Sequence, residues 1–192
     1  PTGNGLITDS LGKLSIVDDD APVEVEFSVA SATEAEADAP VTVTATLSAV
    51  SGKTVRLTFT VSGTAGIATD HDASDNQITI SAGATSSTYT FNLIDDTTDE
   101  NDETIILTAT SPVNSTLATN TVHTISITDD DDPPSISFAS TSDTEGNSIN
   151  ITASLSAVSE KTVLFDWETS DNTALNGIDY LANSGSSISI AP

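Results

Sequence analysis

Cysteine is absent from the 192 residues. That excludes a disulfide framework and any zinc site built on thiolates. Basic residues are nearly missing: four Lys and Arg stand against 29 Asp and Glu, for a formal net charge of −25. So negative a surface repels polyanions, which argues against nucleic acid and anionic membranes as partners and favours cations. Aromatics are only 4% of the chain and hydrophobic residues 36%, which permits a core but a thin one. No apolar run approaches the roughly 18 residues of a membrane span, so direct membrane insertion is not expected. No secretory leader is legible, and the chain opens in mid-pattern, as an excerpt of something longer would.

What is present is Val, Ile, Leu and Thr in regular alternation, a composition that suits half-buried pleated surfaces and separates the chain from a disordered acidic tail. The pattern also repeats. "LSAVSGKTV" (47–55) returns 108 residues later as "LSAVSEKTV" (155–163). "SIVDDDAP" (15–22) returns at 126 as "SITDDDDPP", and "FSVASATEA" (27–35) matches "FASTSDTEG" (138–146). "TAGIATDH" (64–71) matches "TALNGIDY" (173–180). A period near 110 residues is the length of a β-sandwich module in a tandem array, too long for one turn of a solenoid. The expected organisation is the C-terminal strand of one repeat over 1–20, a complete repeat over 21–132, and the N-terminal part of a third over 133–192.

Seven alternating segments fill the complete repeat: A (23–30), B (40–48), C (54–62), D (77–81), E (87–94), F (103–110) and G (121–128). Apolar residues occupy every second position, as in Val41, Val43, Ala45, Leu47 and Val55, Leu57, Phe59, Val61. One buried and one wet face is the signature of antiparallel sheets. The fold class is therefore all-β, an antiparallel β-sandwich of seven strands in tandem repeats.

If successive strands run up and down, the A–B, C–D and E–F connections share one pole with the end of G. The acids sort to that pole. A–B holds Glu34, Glu36 and Asp38; C–D holds Asp70, Asp72 and Asp75; E–F packs six carboxylates between Asp95 and Glu103; Asp129 to Asp132 close G. The opposite loops, 49–53, 82–86 and 111–120, hold none. Two carboxylates about 4 Å apart repel by roughly 1 kcal/mol in water and about 4 kcal/mol at an effective dielectric near 20. A bound divalent cation neutralises such a cluster directly. The donors are hard oxygens, which favours Ca²⁺, and Ca²⁺ takes six to eight of them. A group this large has room for two or more ions. No EF-hand loop or glycine-rich nonapeptide is present, so the site must be assembled in space from loops.

Together "TEG" (144–146), "TALNGIDY" (173–180), "LIDDTTDENDET" (93–104) and "ISITDDD" (125–131) resemble the Calx-beta domain. The resemblance covers the middle repeat end to end and the flanks as fragments. It implies an immunoglobulin-like sandwich with calcium at one pole. It implies ligand roles for Glu34, Asp70, Asp95, Asp96, Glu100 and Asp129, Asp130 and Asp131, with a backbone carbonyl from Thr98. In the flanking repeats it implies the same for Asp18, Asp19, Asp20, Glu145 and Asp179. The sequence departs from the pattern at His71, which replaces the tyrosine that Tyr180 restores. It departs again at "TEA" (33–35), which is followed by an insertion, and at the extra acids Asp72 and Asp75.

Blander readings stand beside these. The acidic loops can be solvated turns, and Asp72, Asp75, Asp99 and Asp102 read better as solvated or supporting groups than as ligands. Glu24 and Glu26 alternate with Val23 and Val25 and fit the wet face of segment A. His71 and His123 have no Ser or Cys partner at a recognisable spacing, so catalysis is not expected. Paired carboxylates of a glycosidase would need a cleft that nothing here implies. Trp167 reads as sheet packing. "NST" (114–116) and "NIT" (150–152) are glycosylation triplets of the kind frequent by chance.

No Gly/Ser linker follows "DDDAP" or "DDDDPP", so modules join stiffly. The expected function is a calcium-binding spacer of a large extracellular multidomain protein, a bacterial adhesin or surface fibre. Neighbouring repeats would be its partners and the adhesive target would lie elsewhere. The alternatives are a calcium-sensing regulatory domain, as in sodium–calcium exchangers, and an accessory domain of a secreted enzyme.

Overall fold

A computed structural model of the chain describes residues 12–17, 19 and 21–192. Most of the expected first unit, with Asp18 and Asp20, lies outside the described residues. The described residues form strands and turns only.

Nine strands build the middle repeat. They are β1 Glu24–Phe27, β2 Ser31–Ala35, β3 Val41–Leu47, β4 Val55–Gly63, β5 Asn76–Ile80, β6 Ser86–Phe91, β7 Glu103–Val113, β8 Thr116–Leu117 and β9 Val122–Thr128. One sheet has the order β6-β3-β1-β8 and the other β2-β9-β7-β4-β5. The alternation works as the sequence implies. In β3, Val41, Val43, Ala45 and Leu47 are buried, while Thr42, Thr44 and Thr46 are not. Val55, Leu57 and Phe59 do the same in β4, and Ile105, Leu107 and Ala109 in β7. These inward rows meet between the sheets with Val25, Phe27, Ile78, Ile80, Phe91 and Ile125. Phe27 stands edge-on to Phe59 at 6.4 Å between ring centroids, and Phe59 to Tyr89 at 4.9 Å. Aromatics are few, but they cluster at the centre, where each buries the most apolar area.

Segment A is not one strand. Val25 and Phe27 of β1 point into the core while β1 pairs antiparallel with β3. The chain then crosses the sandwich. The Ser28 amide donates to Thr44 O at 2.9 Å, and Ala30 O accepts from the Thr124 amide at 2.9 Å. It continues as β2, parallel to β9, with Glu34 opposite Ile127. The 111–120 connection also pairs, its Thr116–Leu117 running parallel to Glu24–Val25. The seven antiparallel strands expected are therefore nine, with two parallel pairings. The cause is physical: an edge strand that switches sheets closes both sheet margins with hydrogen bonds.

Beyond Asp132, β10 Ile136–Phe138 pairs with β11 Ala153–Leu155, and β12 Val163–Glu168 with β13 Ser184–Ile190, all antiparallel. Most of their apolar residues are half-buried, while Phe138, Leu164 and Ile188 are exposed. Trp167 packs close against Gly185 of β13.

Candidate metal centre

The β4–β5 loop is held against the start of β7. Gly63 has φ +142°, and a Cβ there would collide with Thr104 O. Thr104 O accepts from the amides of Thr64 (3.0 Å) and Ala65 (3.2 Å). This close approach, open only to glycine, sets Asp70 beside Glu103. The Asp70 carboxylate accepts the Gly66 amide and its carbonyl accepts the Ile94 amide at 2.9 Å. The 64–75 and 92–102 loops are thus joined. Asp72 strengthens the joint by accepting from Asn92 N (2.6 Å) and Nδ2 (2.8 Å), which holds its own carboxyl below the usual range. Asp75 accepts the Val61 amide at 2.7 Å. Asp72 and Asp75 are accordingly loop fasteners. His71 is buried, accepts the Ala73 amide at Nδ1 (3.1 Å) and stands edge-on to Phe91.

The end of β2 completes the pole. The Glu36 amide donates to Thr128 O at 3.1 Å, which carries its carboxylate alongside the aspartates that end β9. One carboxylate oxygen each from Glu36, Asp129 and Asp131 lies within 4.8 Å of the others. Glu36 is 5% exposed. Asp131 Oδ2 is buried and has no hydrogen-bond partner among the described residues. Asp129 is the hub: Oδ2 accepts the Glu100 amide at 3.1 Å and Oδ1 the Asp131 amide at 3.4 Å. Asp96 Oδ1 accepts the Thr98 amide at 2.6 Å.

Crowding shows in the acidities. Burial, then the charges of Glu100, Asp96, Asp129 and Asp131, pushes Glu36 up to about 7. Burial, a hydrogen bond with Asp70 and the charges of Asp70, Glu100 and Glu160 push Glu103 up to about 7 as well. Glu100 is raised by burial and then by Glu160, Asp70, Asp96 and Asp129. Asp131 is raised by burial and then by Asp129, Asp130, Asp96 and Asp95. Acids from four connections far apart in sequence therefore feel one another.

The residues expected as ligands fall into groups. Asp129 and Asp131 lie in the close cluster, the Glu100 amide is bonded to Asp129, and Asp96 is within electrostatic reach of Glu36 and Asp131. Asp95 and Asp130 are exposed, within electrostatic reach of Asp131. Asp70 faces Glu103. Glu34 sits on β2, its carbonyl accepting from Thr128 Oγ1 at 3.3 Å. In the flanks, Asp19 and Glu145 are exposed, and Asp179 Oδ2 accepts the Leu175 amide at 2.9 Å.

Glu36 is the residue that sequence reasoning missed as a candidate ligand. Its signal was the parity of Ala32, Glu34 and Glu36 along a strand whose continuation past Ala30 was not foreseen. Three convergent carboxylates and an orphaned buried oxygen fit a hard cation. Oxygens spread around a Ca²⁺ at 2.3–2.6 Å span about this distance.

A two-sheet all-β module with carboxylates gathered at one pole is a recognisable class. The chain belongs to the Calx-beta domain family, whose profile matches residues 18–131 and again 129–188. Among solved structures it is similar to an apo-form Calx CBD1 domain, with 21% identity and a TM-score of 0.54 over 58% of this chain and 100% of that one. It is similar to CBD12 from CALX1.2 at 20% identity and TM-score 0.54, over 88% of this chain and 69% of that one. It is also similar to the calcium binding domain CBD12 of CALX1.1, at 22% and 0.53, over 56% of this chain and 45% of that one. These likenesses concern the fold. No curated protein matches the chain.

Proposed function

We propose that the chain is a calcium-binding structural spacer of a large extracellular multidomain protein, an adhesin or surface fibre of bacterial type. Ca²⁺ would stiffen each repeat and its junction with the next. One observation carries the reading: Glu36, Asp129 and Asp131 converge around a buried, unpartnered Asp131 oxygen. Those three residues would form the nucleus of the site. Asp95, Asp96, Glu100, Asp130, Asp70 and the Thr98 carbonyl would supply further oxygens, enough for two or more ions. Glu34 would support β2. When bound, the ion supplies positive charge and cross-links the loops. The protein's residues do the rest: β2 and β9 hold Glu36 beside Asp129 through paired strands, and Asp72 and Asp75 keep the loops closed without metal. His71 and His123 are packing residues and the chain is not read as an enzyme; His123 Nδ1 lies 2.9 Å from Val29 O.

The test is thermal unfolding of the full chain with millimolar Ca²⁺ and with a chelator. Ligand at about 10 times its Kd adds about 1.4 kcal/mol, equivalent to a rise of about 5 °C for a repeat this size. An identical transition in both conditions would refute the reading. A sensing role is the second reading, favoured by the likeness of 88% of this chain to CBD12 from CALX1.2. Micromolar affinity with a change of shape would select it. Weak binding, with Kd about 10⁻⁴ to 10⁻³ M, and stiffening would select the spacer.

A further inference from the structure

A cation already reaches the acidic pole, and it comes from the next repeat. Lys161 Nζ lies 2.7 Å from Asp99 Oδ1 and 2.8 Å from Asp129 Oδ2. Ser159 Oγ donates to Asp99 Oδ2 at 2.7 Å, and the Glu160 amide donates to Asp99 O at 3.0 Å. Asp99 and Ser159 form an isolated parallel bridge. Ser159, Asp99 and Asp129 are nearly enclosed, while the Lys161 side chain is 37% exposed. Lys161 in turn holds the Asp99 carboxyl below the usual range.

The turn that carries Lys161 is not shaped by this contact alone. The Lys161 amide donates to Ser159 Oγ at 3.0 Å, and in the middle repeat the Lys53 amide donates to Ser51 Oγ at 3.0 Å. The flanking anchors agree as well: the Glu24 amide donates to Ser48 Oγ, and the Ser135 amide to Ser156 Oγ, both at 2.9 Å. A turn preformed in this way loses little freedom when it docks. In the middle repeat the turn lies on the pole that carries no acids. In the next repeat Glu160 stands between Ser159 and Lys161 and its charge raises Glu100 and Glu103, so the Lys161 ion pairs hold the contact against that local repulsion.

We infer that the Ser-x-Lys turn of a repeat is a docking surface for the acidic pole of the repeat before it, with Lys161 the cation that fills this role here. Ser51 to Lys53 presents the same surface toward a preceding copy. The pin needs no metal. Because Lys161 holds Asp129 Oδ2, it also shares a residue of the candidate calcium cluster, a consequence that rests on the calcium reading.

Hydrogen exchange of the full chain without metal tests the pin. Lys161→Ala should speed exchange of the Glu160 amide about tenfold or more and remove its salt sensitivity. The Thr124 amide, inside the middle repeat, should not change. Lys161→Arg should retain protection, and Ser159→Ala should lose part of it. Equal Glu160 exchange in wild type and Lys161→Ala would overturn the proposal, as would a change shared equally by Thr124. Calcium titration of the same variant reads the shared residue: relief of repulsion should tighten binding about threefold to tenfold. Unaltered Ca²⁺ affinity would overturn the sharing. Failure of every variant to bind Ca²⁺ would overturn the calcium reading and leave the exchange result to decide the pin.

Discussion

Glu36 and Asp129 are brought together by a strand register: the Glu36 amide donates to the carbonyl of Thr128, the residue before Asp129, at 3.1 Å. The two carboxylates then approach within 4.8 Å, with Asp131 as the third member. Parallel pairing of β2 with β9 fixes this contact, so the cluster belongs to the sandwich itself.

Charge removal in that cluster should have opposite effects with and without metal. Glu36→Gln should raise the melting temperature of the chelated protein, because it removes repulsion and a buried acid. The same substitution should weaken Ca²⁺ affinity about tenfold or more, since one charged donor is lost. Paired melting curves, with chelator and with excess Ca²⁺, check the crossing. Parallel shifts would contradict it.

Glu36 and Glu103 are both pushed up to about 7 from an ordinary 4.5. A raised folded-state value means that the folded protein binds protons more tightly than the unfolded chain. The stabilisation is fully present below about 4.5 and is lost as pH rises through about 7. Chelated protein should therefore become less stable between about pH 5 and pH 7.5. Calcium should flatten the trend and release protons on binding. Denaturant unfolding across that range, with and without Ca²⁺, is the measurement.

Asp75→Ala should destabilise by about 1 kcal/mol whether or not calcium is present, because the lost bond is to the Val61 amide at 2.7 Å and exposure weakens it. Calcium affinity should stay close to wild type. A loss of binding larger than the loss of stability would make Asp75 a ligand rather than a fastener.

Phe59→Ala should cost about 3–5 kcal/mol, since Phe59 is fully enclosed and contacts both Phe27 and Tyr89. Chemical denaturation of the calcium-loaded chain reads this most cleanly. A loss below about 1 kcal/mol would mean that the core relaxes freely into the cavity.

Much of this architecture is legible in the sequence because a strand's period of two is unambiguous where one face is buried. Val41 to Leu47 and Val55 to Phe59 show it without help from any neighbour. The acidic pole is legible because connections alternate between the two ends. The sheet switch at 28–30 is not, since Ser28, Val29 and Ala30 contain no glycine or proline to mark the break. Once that switch is missed, the strand that places Glu36 is missed with it; Glu34 rests on the resemblance alone. Lys161 escaped for a different reason. Its partners lie 62 and 32 residues away in another repeat, and no local pattern encodes a contact between modules. The repeat of "LSAVSEKTV" was visible, but what its lysine meets depends on how two units stand together.

The central claim is that one cation holds Glu36, Asp129 and Asp131 together. An anomalous-difference map from crystals of the full chain grown in excess Ca²⁺ tests it most directly. The account predicts a peak within about 2.6 Å of a carboxylate oxygen from each of the three residues. A map with the three side chains turned apart into solvent and no peak among them would contradict it.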